Sequence, residues 1–325
     1  MRRRLNEAIV FVAGVAMLAV PAVVTDRYVL KVLTFVGLNT IVVIGLALLF
    51  GYAGQVSLGH AAFFGIGAYT SARLVMSFGL PWVLSVVGAA VVAALAGWAV
   101  AVPGLRLRGH YLAMATLGFN EIMSVAFVEA RPVTGGNDGL GGVPFPSFGS
   151  FELKTPSALF VLVWAVALLV WLAARNIVRS RPGRAMRALH CTEPGALASG
   201  VDVAAVKVRV FALSAGLAGL AGALFAHSVG FISPSSFGLD LSVLLVAAVV
   251  LGGRESLSGP IVAMAVLTLL QYLGALLPGL PRQAAEAIQD WVPDIVGATL
   301  IAVLIARARG GAPVRAKEAL GRGAR

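Results

Sequence analysis

Charge is scarce in this chain. Only 12% of its 325 residues are Asp, Glu, Lys or Arg, about half the roughly 25% of an ordinary soluble domain. A single cysteine, Cys191, excludes an internal disulfide framework. Four scattered histidines (His60, His110, His190 and His227) make no metal-ligand pattern. None of the four lysines (Lys31, Lys154, Lys207, Lys317) follows a glycine, so the chain has no Walker A phosphate loop. It also has no Gly-x-Ser-x-Gly elbow, no His-Glu-x-x-His and no group of carboxylates suited to a membrane hydrolase. Those absences argue against an enzyme and against a metal centre.

What is present is apolar. Hydrophobic residues make up 59% of the chain and the mean hydropathy is +0.93. A soluble fold has too little interior to hide that much apolar surface, and a bilayer supplies the missing environment. The net charge of +11 does not point to nucleic acid, because no basic stripe with interleaved aromatics exists. A span needs roughly 20 predominantly apolar residues. Candidate spans are 8–24, 29–50, 60–78, 82–102, 111–129, 157–174, 208–230, 238–252, 258–277 and 287–306. The expected fold is therefore an all-α integral membrane protein with about ten transmembrane helices. Arg2, Arg3 and Arg4 before Ala8–Val24 resemble a signal peptide, but this segment is expected to stay as a first span. Lys and Arg concentrate in 1–7, 103–110, 175–207, 253–257 and 307–325. By the positive-inside rule these segments are cytoplasmic, and so are both termini. Residues 1–306 are expected to form the transmembrane domain, and 307–325 a basic cytoplasmic tail.

Four places stand out along the chain. Gly51 to His60 lies between two apolar runs and has almost no charge, which suggests a broken helix near residues 51–60. Non-helical backbone at membrane depth is tolerated only where it lines a cavity or is buried in protein. Gln55 and Ser57 there can satisfy freed backbone groups or a ligand, and half-helix N-termini in transporters face anionic groups. A tight turn in a helical hairpin would fit the composition equally well. Glu121, beside Asn120 in the fifth span, is the least comfortable charge, and intramembrane carboxyls read as functional candidates. A paired or protonated carboxyl that seals helix packing is the plainer reading. His60 and His227 read as hydrogen-bonding or packing residues. The inner connection 175–207 contains Arg184, Arg187, Glu193, Gly200 and Asp202; charge alone makes it a topogenic loop. Small residues at three- and four-residue spacing from Ala215 to Ala223 mark a close helix contact.

Several of these motifs together resemble a known family: permease subunits of bacterial ABC importers for branched-chain amino acids, of the LivM type. The resemblance runs from about residue 35 to 305. It is carried by Gly54-Gln55-Val56-Ser57-Leu58-Gly59-His60 continuing to Tyr69, by Leu105–Gly109, and by Thr134-Gly135-Gly136 with Asp138-Gly139-Leu140. Gly183-Arg184-Ala185, Glu193 with Gly200, and Gly230–Pro234 complete it. The resemblance implies a partner permease, two cytoplasmic ABC ATPases and an extracytoplasmic solute-binding protein. ATP would be used by the partners, with no cofactor in this chain. The implied substrate is leucine, isoleucine or valine; relatives with similar permeases carry urea, short amides, or other amino or organic acids.

Gln55, Ser57, Gly59 and His60 at the break, with Asn120 and Glu121 inside the fifth span, are the residues expected along the substrate path. By analogy with the family, Glu193 to Gly200 corresponds to the loop that docks on an ATPase, and Arg184 and Asp202 of the same inner connection are expected to take part in that coupling. The chain departs from the family pattern at Pro194-Gly195, expected to shorten the coupling helix. It departs again at Arg254-Glu255, which interrupts Gly252-Gly253…Ser256-Leu257. An ion-coupled secondary transporter or channel is the reading from another class, with Glu121 as its proton site. The expected location is the bacterial inner membrane.

Overall fold

The computed structural model describes residues 12, 14–24, 26–105, 107, 109–148, 151–253, 256–272, 291, 297–298 and 305. The chain divides into two compact units, Met1–Leu269 and Leu270–Arg325. The second is described only at 270–272, 291, 297–298 and 305. The expected tail 307–325, the Arg254-Glu255 interruption and most of the span 287–306 lie outside the described residues.

Helix α1 (Arg27–Leu46) opens on Asp26, whose carboxylate accepts the N–H groups of Tyr28 at 2.7 Å and Val29 at 3.3 Å. Such a cap satisfies donors that have no partner in the first helical turn. The helix widens into a π-helical stretch, Ala47–Tyr52, after which the backbone is non-helical until α2 (His60–Phe78). There follow α3 (Trp82–Gly104), α4 (His110–Glu129), α5 (Pro156–Arg179), α6 (Arg181–Cys191), α7 (Glu193–Ala198), α8 (Val203–Val229), α9 (Leu239–Gly252) and α10 (Ser258–Gln271). Among the described residues, four two-residue strands, β1 (Leu140–Gly141), β2 (Ser147–Phe148), β3 (Phe151–Glu152) and β4 (Phe231–Ile232), pair antiparallel as β1–β4 and β2–β3. They are small additions to a helical membrane fold.

Six helical stretches among the described residues are long and apolar enough to cross a membrane: Arg27–Tyr52, Trp82–Gly104, His110–Glu129, Pro156–Arg179, Val203–Val229 and Pro234–Gly252. The expected count of about ten is not confirmed among the described residues. Segments 8–24, 258–277 and 287–306 lie partly outside the described residues, and Ser258–Gln271 is apolar but short. Helix α2, at 60–78, has 19 residues but carries Tyr69, Thr70, Ser71 and Arg73 and is buried along much of its length.

Helix α8 occupies the centre and packs against α1, α2 and α3. Lipid is as apolar as leucine, so helices within it associate through close packing and interhelical hydrogen bonds rather than through burial alone. The small-residue run provides that closeness. A methyl group on Gly222 would overlap the carbonyl of Phe64 on α2, and one on Gly219 would overlap Cβ of Ala93 on α3. Helix α1 is clamped from its other side by α5, where Phe160 and Trp164 pack on Leu30 and Val36. The indole N–H of Trp164 donates to the Leu33 carbonyl at 3.1 Å. The outward face of α3 is apolar, with Leu84, Leu95 and Trp98 exposed, and that of α4 exposes Met114, Ile122 and Val125 together with Glu121.

The connection 130–156 is tied to the bundle by two side chains. Arg73 donates to the carbonyls of Val133 at 2.5 Å and Pro132 at 2.7 Å. His227, fully buried, lies with Nδ1 2.8 Å from the Pro144 carbonyl and Nε2 2.9 Å from Ser71 Oγ. This histidine is a hydrogen-bonding residue, as its place in an apolar run suggested.

Candidate functional site

The segment between α1 and α2 is a true interruption. As the helix widens, Ala53 N–H bonds to Leu48 O at 3.1 Å and Gln55 N–H reaches back to Leu49 O at 3.0 Å. Gly54 then turns the chain with a left-handed φ of 72°. Gln55, Ser57, Gly59 and His60 are all buried. Backbone that leaves a helix inside protein needs new partners for its N–H groups, and neighbouring helices provide them. Leu58 N–H donates to Thr116 Oγ1 of α4 at 2.9 Å. Ala61 N–H donates to Ser242 Oγ of α9 at 3.0 Å, and Ala62 N–H to Asn120 Oδ1 of α4 at 3.0 Å. The first turn of α2 is thus capped from across the bundle, because its own N-cap is Gly59 and has no side chain to offer.

This arrangement changes one expectation. Two N–H groups of the half-helix, counted on to face an anionic ligand, are already bonded to protein. Side chains hold the spare capacity instead. Gln55 Nε2, His60 Nδ1 and Asn120 Nδ2 are buried and make no hydrogen bond to the described residues. Buried polar groups almost always find partners, so each such exception calls for a reason. The other ring nitrogen of His60 lies 2.7 Å from Ser214 Oγ on α8, and Phe63 stands edge-on to its ring at 6.0 Å.

The basic connection after α5 is ordered into α6 and α7. Ser180 precedes α6, and the carboxylate of Asp202 caps α8 by accepting Ala205 N–H at 3.0 Å. Pro194 falls in the first turn of α7, where a missing N–H costs nothing. Thr192 caps that helix through Gly195 N–H at 3.2 Å, and the helix is only six residues long. Arg184 and Gly200 are exposed, and Gly200 holds a left-handed φ of 75°. Glu193 forms an ion pair with Lys207.

These two regions touch. A Cβ on Gly54 would lie 3.0 Å from His190 Nδ1 of α6. A cavity of about 80 Å³ opens between them, bordered by Gln55 on one side and by Glu193 and Lys207 on the other. Of the residues expected on the path, the structure gathers Gln55, Ser57, Gly59, His60 and Asn120 around the break. Glu121 is not among them: it sits on the exposed face of α4 while Asn120 turns inward. Sequence reasoning missed Thr116, Ser214 and Ser242, single hydroxyls in apolar helices that carry no pattern of their own.

The chain matches the family model for the permease component of branched-chain amino acid transport systems over residues 28–304. It belongs to this family. The permease is 31% identical to the high-affinity branched-chain amino acid transport system permease protein LivM of Escherichia coli K12. That likeness covers 94% of this chain and 75% of the relative. The LivM protein of Salmonella typhimurium LT2 is 34% identical over 71% of this chain and 60% of its own length. A more distant likeness, 25% identical over 91% of this chain and 90% of the relative, is to the ribose import permease protein RbsC of Haemophilus influenzae. No solved structure matches the chain. Family and apolar helices together make this a multi-pass membrane protein of the transport class.

Proposed function

We propose that this chain is the membrane-spanning subunit of an ATP-driven importer that moves branched-chain amino acids across the bacterial inner membrane, with both termini cytoplasmic. The reading assigns ATP hydrolysis to two separate cytoplasmic ABC ATPases. It assigns solute delivery to an extracytoplasmic binding protein, and half of the translocation path to a second, homologous permease. The substrate path runs past Gln55, Ser57, Gly59, His60 and Asn120, and the segment bearing Arg184, Glu193, Gly200 and Asp202 meets an ATPase.

The observation that carries this reading is the contact between Gly54 and His190. It brings a buried, interrupted helix against the basic segment expected to meet the ATPase. A displacement of α6 and α7 reaches the break directly, without passing through a long chain of intermediates. A ligand or nucleotide shifts such an equilibrium only if it binds the two states differently, and the binding protein and ATP supply that difference.

The test is reconstitution of this chain with its neighbouring ATPases, second permease and binding protein in proteoliposomes, followed by uptake of leucine, isoleucine and valine. ATP-dependent uptake is the expected result. Assembly with ATP-dependent uptake of urea or short amides instead would move the substrate and keep the architecture. Uptake driven by an ion gradient without any ATPase would overturn the reading in favour of a secondary transporter.

A further inference from the structure

A groove of about 310 Å³ lies between α5 and α8. Val166, Val170 and Ile177 line it from α5, and Leu213, Leu217 and Leu220 from α8. Leu48, buried in the π-helical stretch after α1, also borders it, and no polar side chain does. On α5 the lining residues recur every three or four positions, which is one face of a helix. From Val166 to Ile177 that face is about 16 Å long, the depth of one leaflet in a hydrocarbon core about 30 Å thick. Two arginines stand beyond its inner end. Arg209 lies four residues before Leu213, on the same side of α8. Helical side chains lean toward the N-terminus, here the end joined to the basic connection. Arg181 opens α6, four residues beyond Ile177. Both arginines are exposed, and neither guanidinium has a hydrogen bond or ion pair among the described residues. Asp202, the carboxylate closest to Arg209 along α8, is engaged in capping that helix.

We propose that this groove holds an acyl chain of one anionic phospholipid of the inner leaflet, with the lipid's phosphate at Arg181 and Arg209. The proposal takes from the reading above only that the connection after α5 is cytoplasmic. Charge complementarity selects the headgroup. Two cations at the end of an uncharged groove call for negative charge, and basic sites at the cytoplasmic ends of spans hold anionic headgroups. Arginine presents several donors in a plane that matches phosphate. A zwitterionic lipid brings an ammonium beside its phosphate and gains less. A further transmembrane helix suits the groove poorly. Helices in lipid associate through small residues that let backbones approach, or through hydrogen bonds between polar side chains. On α8 the small residues face elsewhere, Gly219 against α3 and Gly222 against α2, and the groove side carries leucines. The segment around Gly14 packs on Leu168, on another face of α5. The lipid also bears on the break. Its chain packs on Leu48, whose carbonyl accepts the Ala53 N–H at 3.1 Å where the helix widens.

The experiment is native mass spectrometry of the full-length chain, stripped of lipid and titrated with phosphatidylglycerol or with phosphatidylcholine of the same acyl chains. Phosphatidylglycerol is expected to give one tight adduct, about twentyfold tighter than phosphatidylcholine, because each arginine near the membrane surface contributes about fivefold. Ala173→Trp fills the groove from its exposed rim and is expected to remove the tight adduct. Arg181→Gln with Arg209→Gln leaves the groove open and is expected to bring the two lipids to nearly equal binding. Equal binding of both lipids by the wild-type chain, or tight phosphatidylglycerol binding that is unchanged in either variant, overturns the proposal. In the assembled transporter, a photo-crosslinking residue in place of Leu169, which also lines the groove, is expected to capture phospholipid. Capture of the second permease or of another segment of this chain seats a helix there and overturns it as well. Loss of the lipid site with ATP-driven uptake of branched-chain amino acids intact leaves the permease reading standing. A selective lipid site in a complex that takes up none of them does the reverse.

Discussion

Gly54, in a left-handed conformation with φ 72°, lies directly against the imidazole of His190, one helix beyond the bilayer-length segment α5. The sequence separates these residues by more than a hundred positions, yet the fold makes them neighbours. Through this contact any movement of α6 meets the interrupted helix.

Gly54→Ala is expected to cost about 1–2 kcal/mol from the left-handed backbone alone, and its methyl group adds a tight contact with His190. Thermal unfolding of the detergent-purified chain reads the first effect, and ATP-driven uptake reads the second. Adding His190→Ala should restore uptake in part while the loss in stability remains. Unchanged uptake in Gly54→Ala would remove this contact from the mechanism.

Asn120→Ala leaves Ala62 N–H at the buried start of α2 without its acceptor, at a cost of about 1–3 kcal/mol. Ser242→Ala does the same to Ala61 N–H. Ser242 Oγ also lies 3.5 Å from Asn120 Oδ1, so the two losses should not add. A double-mutant cycle in thermal unfolding checks this; strictly additive values would mean that the two caps act independently.

Glu193 and Lys207 are a partly buried pair, between the surface and interior extremes. Lys207→Met removes one partner of the Glu193 carboxylate and is expected to destabilise by about 1–3 kcal/mol, whereas Lys207→Met with Glu193→Gln should cost less. Gly200→Leu meets no neighbouring atom within 4 Å but must adopt a φ of 75°. It should distort the exposed turn before α8 while leaving membrane insertion intact. Co-purification of the ATPases reports the result, and full retention in Gly200→Leu would place ATPase docking elsewhere.

Glu121 is exposed on α4, away from the polar residues of the break. Glu121→Gln should therefore leave ATP-driven uptake at least partly intact. Complete loss of uptake, together with dependence on a proton gradient, would favour the secondary-transport reading and give this carboxyl the proton.

How much was legible in the sequence varied with the range of the interaction. An interruption was legible at Gly51–His60 because glycines and an uncharged polar pair separate two apolar runs, but composition alone fitted a tight hairpin turn as well as a broken helix. The close packing of α8 was legible in the spacing of Gly216, Gly219 and Gly222, since only small residues let backbones meet. Asn120 and Glu121 could not be separated, because adjacent residues on a helix differ by about 100° in direction and an apolar span supplies no polar face to orient them. The strand pairing of Leu140 with Ile232 left no trace in two-residue strands.

By itself the sequence determined the class of this protein: its apolar content demands a membrane, and its motifs carry the family. Asp26 and Asp202 begin helices and Gly79 and Gly230 end them through capping and left-handed turns, which are local chemistry. Only the tertiary structure decided which hydroxyls and amides cap the broken helix, that its N–H groups are already bonded, and that Gln55 shares a cavity with Glu193 and Lys207. Those facts depend on contacts between residues far apart in the chain. Their partners are single polar side chains in apolar helices, and which helices lie side by side is settled by the packing of the whole bundle.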